Sequence, residues 1–183
     1  MKDRILVIDV ETIGLHGPAF CVGFVVMDFF GEVTNEGLYA VRPDSIPTND
    51  PAGLKWVMEN VKIEEQYYNC SSLEELRSRF WKFWLEVRWR AIMAADVNWP
   101  CEANFLSDCI KENIGSEWHG PYPLLDIASF RMGAGDADTM KTEIRLPNEQ
   151  PPHNPLCDAR QSARQLAATI KNSIRAVNIF NDL

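Results

Sequence analysis

The sequence lacks long apolar runs: the most extended, such as Phe20 to Met27, are of strand length and far short of a membrane span. No membrane partner is expected on that ground. It also lacks paired cysteines. Cys21, Cys70, Cys101, Cys109 and Cys157 form an odd, scattered set with no CxxC pair. They read as reduced thiols, some of them buried, rather than as a disulfide frame or a zinc site. Positive charge is in short supply, with 18 Lys and Arg against 26 Asp and Glu and a formal net charge of −8. A protein that coats nucleic acid by broad phosphate neutralisation needs the opposite balance. The deficit does not exclude a nuclease, because a site built of carboxylates is itself anionic and needs cations before a phosphate can approach. Such an enzyme would grip a short strand end and not a long duplex. No internal repeat, low-complexity tract or linker interrupts the chain. It opens directly on a charged segment and a strand, so no signal peptide is expected and the cytoplasm is the default location.

What is present is the material of one domain, expected to span residues 1–183, with 46% hydrophobic and 24% charged residues. Arg4 to Val10 is an apolar, β-branched run that reads as a buried central strand. Phe20 to Asp28 and Val33 to Val41 follow as two more, joined by a turn at Phe30-Gly31, and such short connections favour antiparallel pairing. Asp50-Pro51 opens a helix with an apolar face of Leu54, Val57, Met58 and Val61. Ser72 and Glu75 fit a capping box ahead of a second helix, striped by Leu73, Leu76, Phe80, Phe83, Trp84 and Val87. Those aromatics read as core. Ala91 to Ala95 is a fourth strand and Glu102 to Lys111 a helix entered through Trp99-Pro100. Tyr122 to Leu125 is a fifth strand running into a short helix near Asp126, where the aspartate reads as a cap. Gly133 to Pro152 has no periodicity and reads as a long loop, a kind that is usually functional or disordered. A last helix runs from about Cys157 to Asn178, with Ala163, Leu166, Ala167, Ile170, Ile174 and Val177 on one face. The order is that of a mixed α/β domain.

Three segments carry candidate chemistry. Asp9 and Glu11 stand at i and i+2 near the end of the first strand and so project from one face. Two carboxylates so placed repel unless cations neutralise them, and hard oxygen donors suit Mg²⁺ or Mn²⁺. A solvated strand end is the bland alternative. His153 and Asp158 lie at the mouth of the last helix, where the aspartate could complete a metal site and the histidine act as general base. An N-cap aspartate beside an exposed histidine is the alternative there. Between these segments, Asp96 ends a strand and Glu102 opens a helix, so either could face a site at the sheet's C-terminal edge.

Together the segments resemble the exonuclease superfamily typified by DnaQ, RNase T and oligoribonuclease, in its histidine-containing DEDDh branch. Asp9-Val10-Glu11-Thr12-Ile13-Gly14-Leu15 is close to that family's DxETTGL, and Phe20 to Val26 is similar to its second strand. His153, Asp158 and Ala159 reproduce its HxxxxDA. The Leu54-Lys55-Trp56 helix further resembles a phage and bacterial subgroup of small exoribonucleases. The middle motif departs from the pattern. Asn98 and Phe105-Leu106 are in place, but Glu102 stands where the family has an aspartate. Either Glu102 reaches the metal through its extra methylene, which the register favours, or Asp96 supplies the ligand.

The resemblance implies a ribonuclease H-like mixed sheet of about five strands, the first three antiparallel, flanked by helices. It implies a 3′-to-5′ exonuclease in which Asp9, Glu11, Asp158 and Glu102 or Asp96 hold two Mg²⁺ or Mn²⁺ ions. His153 would take the proton of the attacking water, while Thr12, Gly14 and Leu15 would hold the terminal nucleotide. The implied substrates are single-stranded or frayed 3′ ends of RNA or DNA, the products nucleoside 5′-monophosphates, and a homodimer is the common assembly. A catalytically degenerate module that binds nucleic acid or protein is the competing reading, and a small phosphatase or nucleotide hydrolase a third. Arg131, Lys141 and Arg145, which flank the long loop, are candidates for phosphate contacts. His16, His119 and the arginines at 77, 79, 88 and 90 read as surface.

Overall fold

The computed structural model describes residues 2–113, 117–135 and 144–181, with the side chains of 117 and 174–181 outside the described set. Five strands, β1 (Arg4–Thr12), β2 (Ala19–Asp28), β3 (Val33–Ala40), β4 (Ala91–Ala95) and β5 (Leu124–Asp126), form one sheet in the order β3-β2-β1-β4-β5. The first three are antiparallel, and β4 and β5 run parallel to β1. The connections explain the change of direction. Short turns link β1 to β2 and β2 to β3, whereas helices α1 (Pro51–Asn60) and α2 (Leu73–Val87) carry the chain across to β4, and α3 (Cys101–Glu112) precedes β5. Helix α4 (Ile127–Gly133) follows directly on β5, and α5 (Pro155–Asn181) closes the chain. This is the expected mixed sheet flanked by helices. Among the described residues no helix is long and apolar enough to cross a membrane.

Central β1 and β2 are buried on both faces, which is why they read as continuous apolar runs. On one face α2 packs with Leu76, Phe80, Trp81 and Trp84, all fully buried. The aromatic stripe is therefore core as expected, with Trp81 added to it. On the other face α5 lies across β1 and β2 on small residues, Ala159, Ala163 and Ala167, that let the helix approach closely. Gly23 in β2 is the seat of its first turn: a Cβ there would collide with the Pro155 carbonyl carbon and the Leu156 nitrogen. Ile174 and Val177, placed on that stripe by periodicity, lie outside the described side chains.

Several boundaries move, each for a local reason. Helix α5 starts at Pro155, because Asn154 caps it by accepting from the backbone N–H groups of Leu156 (3.1 Å) and Cys157 (3.3 Å), with proline at the first position. Asp158 is thus free of capping duty. Strand β5 runs from Leu124 to Asp126 and excludes Tyr122, which is 94% exposed; Pro123 has no N–H to give the ladder. Asp126 caps α4, accepting from Ser129 N at 2.7 Å, as expected. Met58 faces solvent, so α1 buries little beyond Val57. Ser72 accepts from Glu75 N as the capping box requires, but Glu75 returns its bonds to Ser71 N and Oγ. Arg77 and Arg79 are not merely solvated. Arg77 forks onto Glu112 of α3 (Nε to Oε2 2.7 Å), and Arg79 stacks over Tyr39 while donating to Asn69 O at 2.7 Å. Within the expected long loop, residues 136–143 and Lys141 with them lie outside the described residues, and 147–149 form a 3-10 turn.

Candidate active site

The last residues of β1 and the first turn of α5 meet where Gly23 leaves room. Pairing places Asp9 opposite Gly23 and Glu11 opposite Cys21, and β1's alternation turns both carboxylates to the α5 side. One carboxylate oxygen from each of Asp9, Glu11 and Asp158 lies within 4.8 Å of the other two. Among the described residues this is the acidic cluster tight enough to share one ion. Glu102, from the first turn of α3, lies beside it without joining it. Its side chain is 8% exposed, and Oε1 accepts from Val10 N at 3.3 Å. Asp96, at the end of β4, is exposed.

The electrostatics agree with the geometry. Burial pushes Asp9 well above the usual carboxylate range, and the charges of Asp158, Glu11, Glu102 and Asp96 add to it in that order. Glu11 is raised to about 7 by burial and then by Asp158 and Glu102. Glu102 is likewise raised to about 7 by burial, against a partial downward pull from backbone N–H groups. Asp158 is raised by burial too, opposed by Arg145 and His153. Asp9, Glu11, Glu102 and Asp158 thus share a space with little water, and each is driven towards its neutral form. A divalent cation reverses that drive. The donor set, all hard oxygens on two rigid elements, fits Mg²⁺ or Mn²⁺.

His153 reaches the rim of this cluster from the turn before α5. Its Nδ1 stands 3.7 Å from Glu11 Oε1, and its ring packs edge-on against Trp56 of α1 at 5.1 Å between centroids. Its backbone is left-handed (φ 58°), a conformation that strains a residue with a side chain, and its carbonyl is tied to Lys62 N at 3.3 Å. The strain is held in place by α1's exit segment on one side and the Asn154 cap on the other, since Asn154 Nδ2 donates to Lys62 O at 2.8 Å.

The segment after Glu11 forms one wall of an open cleft of about 580 Å³, with Pro47 to Asp50 opposite. Gly14 sits at positive φ with no room for a Cβ beside Asp50. Thr12 Oγ1 contacts Cys101 Sγ at 3.5 Å, and that thiol donates to Leu15 O at 3.6 Å, leaving the Leu15 side chain 63% exposed. His16 is exposed, in line with the expectation, with its ring 6.2 Å from that of Trp99.

Two of the three loop-flanking cations lie among the described residues, and both have partners within the fold. Arg131 is buried, donates to Gln165 of α5 at 2.8 Å, and partly offsets the desolvation that raises the Asp96 carboxyl above its usual range. Arg145 is in the site itself, its Nη1 2.5 Å from Asp158 Oδ1. Sequence reasoning missed Arg145's partner Asp158, Asn154 as the cap and Glu149 as a buried anchor. Asn154-Pro155 does have the form of a helix start.

No family model matches the chain, and no curated protein matches it in sequence. Solved structures do. The zinc-bound E. coli ExoI–ssDNA complex superposes with a TM-score of 0.65 at 11% identity, over 98% of this chain and 43% of that one. Cell-death related nuclease 4 (CRN-4) gives 0.61 at 12% identity, over 93% and 64%. A chain of the SSB/Exonuclease I structure with inhibitor CFAM gives 0.54 at 12%, over 92% and 41%. The protein spans less than two thirds of each of these chains. At such identities the likeness is one of fold alone, the ribonuclease H-like mixed sheet flanked by helices.

Proposed function

We propose that this protein is a metal-dependent 3′-to-5′ exonuclease that releases nucleoside 5′-monophosphates from single-stranded or frayed 3′ ends. The observation that carries the reading is the convergence of Asp9, Glu11 and Asp158, from opposite ends of the chain, to ion-sharing distance. Glu102 is the proposed fourth ligand, since it is closer in influence to Asp9 than Asp96 is and its helix faces the cluster. Two divalent cations bound there would supply activation of a water and charge stabilisation of the leaving 3′-oxygen.

The chain's own groups would do the rest. His153, set beside Glu11, takes the proton from the attacking water. Its anchored backbone keeps the imidazole at the rim, where it can face both the cluster and solvent. Gly14 brings backbone close to the terminal sugar, Thr12 borders it, and exposed Leu15 offers an apolar wedge to the base. The cleft that Gly14 and Leu15 line is open, which suits a strand end better than the enclosed pocket a free-nucleotide hydrolase needs. RNA and DNA are both candidate substrates, the cytoplasm the proposed setting, and a homodimer the proposed assembly.

An end-labelled oligonucleotide incubated with Mn²⁺ tests this. Stepwise shortening from the 3′ end is expected, and Asp9→Ala should slow it by about a thousandfold or more. Oligonucleotide bound but uncut would mark a binding module, and hydrolysis of free nucleotides alone a different enzyme.

A further inference from the structure

Arg145 differs from the surface arginines in being held inside the carboxylate centre. Its Nη1 lies 2.5 Å from Asp158 Oδ1 and donates to the Glu149 carbonyl at 2.9 Å. That carbonyl belongs to a built anchor. Glu149 is 1% exposed, and its carboxylate accepts from Leu146 N at 2.9 Å and from Arg164 Nε of α5 at 2.6 Å. Arg160, also of α5, donates to Asn148 O at 3.0 Å. A buried carboxylate is tolerated only when compensated this fully. The result is a turn pinned to the helix that carries Asp158, and a guanidinium with a fixed root beside it.

We propose that Arg145 is the resident counter-ion of the carboxylate centre in the cation-free protein, and that divalent cations displace its guanidinium onto the substrate phosphate beside Asp158. The inference rests on the exonuclease reading above. A guanidinium does not deprotonate, so it can yield Asp158 to a metal ion only by moving. Two cations on one carboxylate oxygen repel, which makes the move obligatory once the ion binds. A phosphodiester held against those ions lies within reach of the same side chain. It also offers the paired oxygens a guanidinium fork fits. The ion pair lost at Asp158 is thereby replaced by one that exists only with substrate present.

The test uses the full chain as wild type, Arg145→Gln and Arg145→Lys. Mn²⁺ binding is read by titration calorimetry, AMP binding on the Mn²⁺-loaded protein, and 3′ shortening of an oligonucleotide at saturating Mn²⁺. Removing a competing cation should let Arg145→Gln bind Mn²⁺ about three- to tenfold more tightly. The same variant should bind AMP about tenfold more weakly and lose about ten- to a hundredfold in kcat/KM, with Arg145→Lys between it and wild type. Mn²⁺ affinity that is unchanged or weaker in Arg145→Gln overturns the counter-ion role. AMP affinity and kcat/KM that both stay at the wild-type level overturn the phosphate role. Where wild type itself shortens no oligonucleotide, the exonuclease reading falls, and the Mn²⁺ comparison alone still supports or overturns the counter-ion.

Discussion

At the scale of single residues, the middle carboxylate is the point on which the site turns. Glu102 lies in the first turn of α3 and carries one methylene more than an aspartate. Its Oε1 accepts from Val10 N, beside Asp9. Asp96 has the shorter arm and the more exposed place. Its charge ranks below that of Glu102 among those acting on Asp9, and it is partly neutralised by Arg131. The two roles separate by substitution: Glu102→Gln is expected to lower Mn²⁺-dependent turnover by about 100-fold, and Asp96→Asn to change it by no more than about threefold. Steady-state kinetics on an oligonucleotide decides it, and the reverse ranking would hand the ligand role to Asp96.

At the scale of elements, the site depends on how closely α5 sits on β2. The first turn of α5 carries Asp158, and Gly23, directly across the ladder from Asp9, is the gap it fills. Gly23→Ala would set a methyl against the Pro155 and Leu156 backbone, which cannot swing aside as a side chain can. The helix must lift or the strand must bow. A loss of stability of about 1–3 kcal/mol follows from overpacking of this kind. Because Asp158 moves with the helix, Mn²⁺ affinity should fall in the same variant. Thermal unfolding with and without Mn²⁺ measures both: a variant destabilised but binding Mn²⁺ as tightly as wild type would show that the seat of α5 does not set the site.

At the scale of the whole molecule, a net charge of −8 is concentrated in consequence, if not in number, at one place. Glu11 and Glu102 titrate near 7 in the folded protein against 4.5 for a free glutamate. The folded state therefore holds these protons more tightly than the unfolded chain does. Their contribution to stability is complete below about pH 4.5 and is lost as pH rises through 7. Glu36 and Glu149, held down by Arg160 and Arg164, act in the opposite sense and at lower pH. With chelator present, the melting temperature is expected to fall by roughly 5–10 °C between pH 5 and 8. Millimolar Mn²⁺ should recover most of that loss at pH 8 and little at pH 5, where protons already neutralise the site. A chelated protein whose melting temperature is flat across this range would refute the picture of mutually repelling carboxylates.

The sequence alone determined the strands and helices whose patterns are long and one-sided. Arg4 to Val10 and Phe20 to Asp28 could hardly be other than central strands, and the alternation of the first puts Asp9 and Glu11 on one face. It also determined which carboxylates to watch, because DxE and HxxxxDA pin them by spacing to the ends of elements. What it left open were relations between parts distant along the chain. Trp81, off the expected stripe, is buried because α2 is covered on more than one side. The convergence of Asp9 with Asp158, the capture of Arg145 by the latter, and the anchoring of Arg145's turn by Glu149 are of the same kind. Local periodicity is set by neighbours a few residues away. A side chain's partner across the fold is set by how closely two elements pack, and here that closeness was decided by a glycine facing the first turn of a helix.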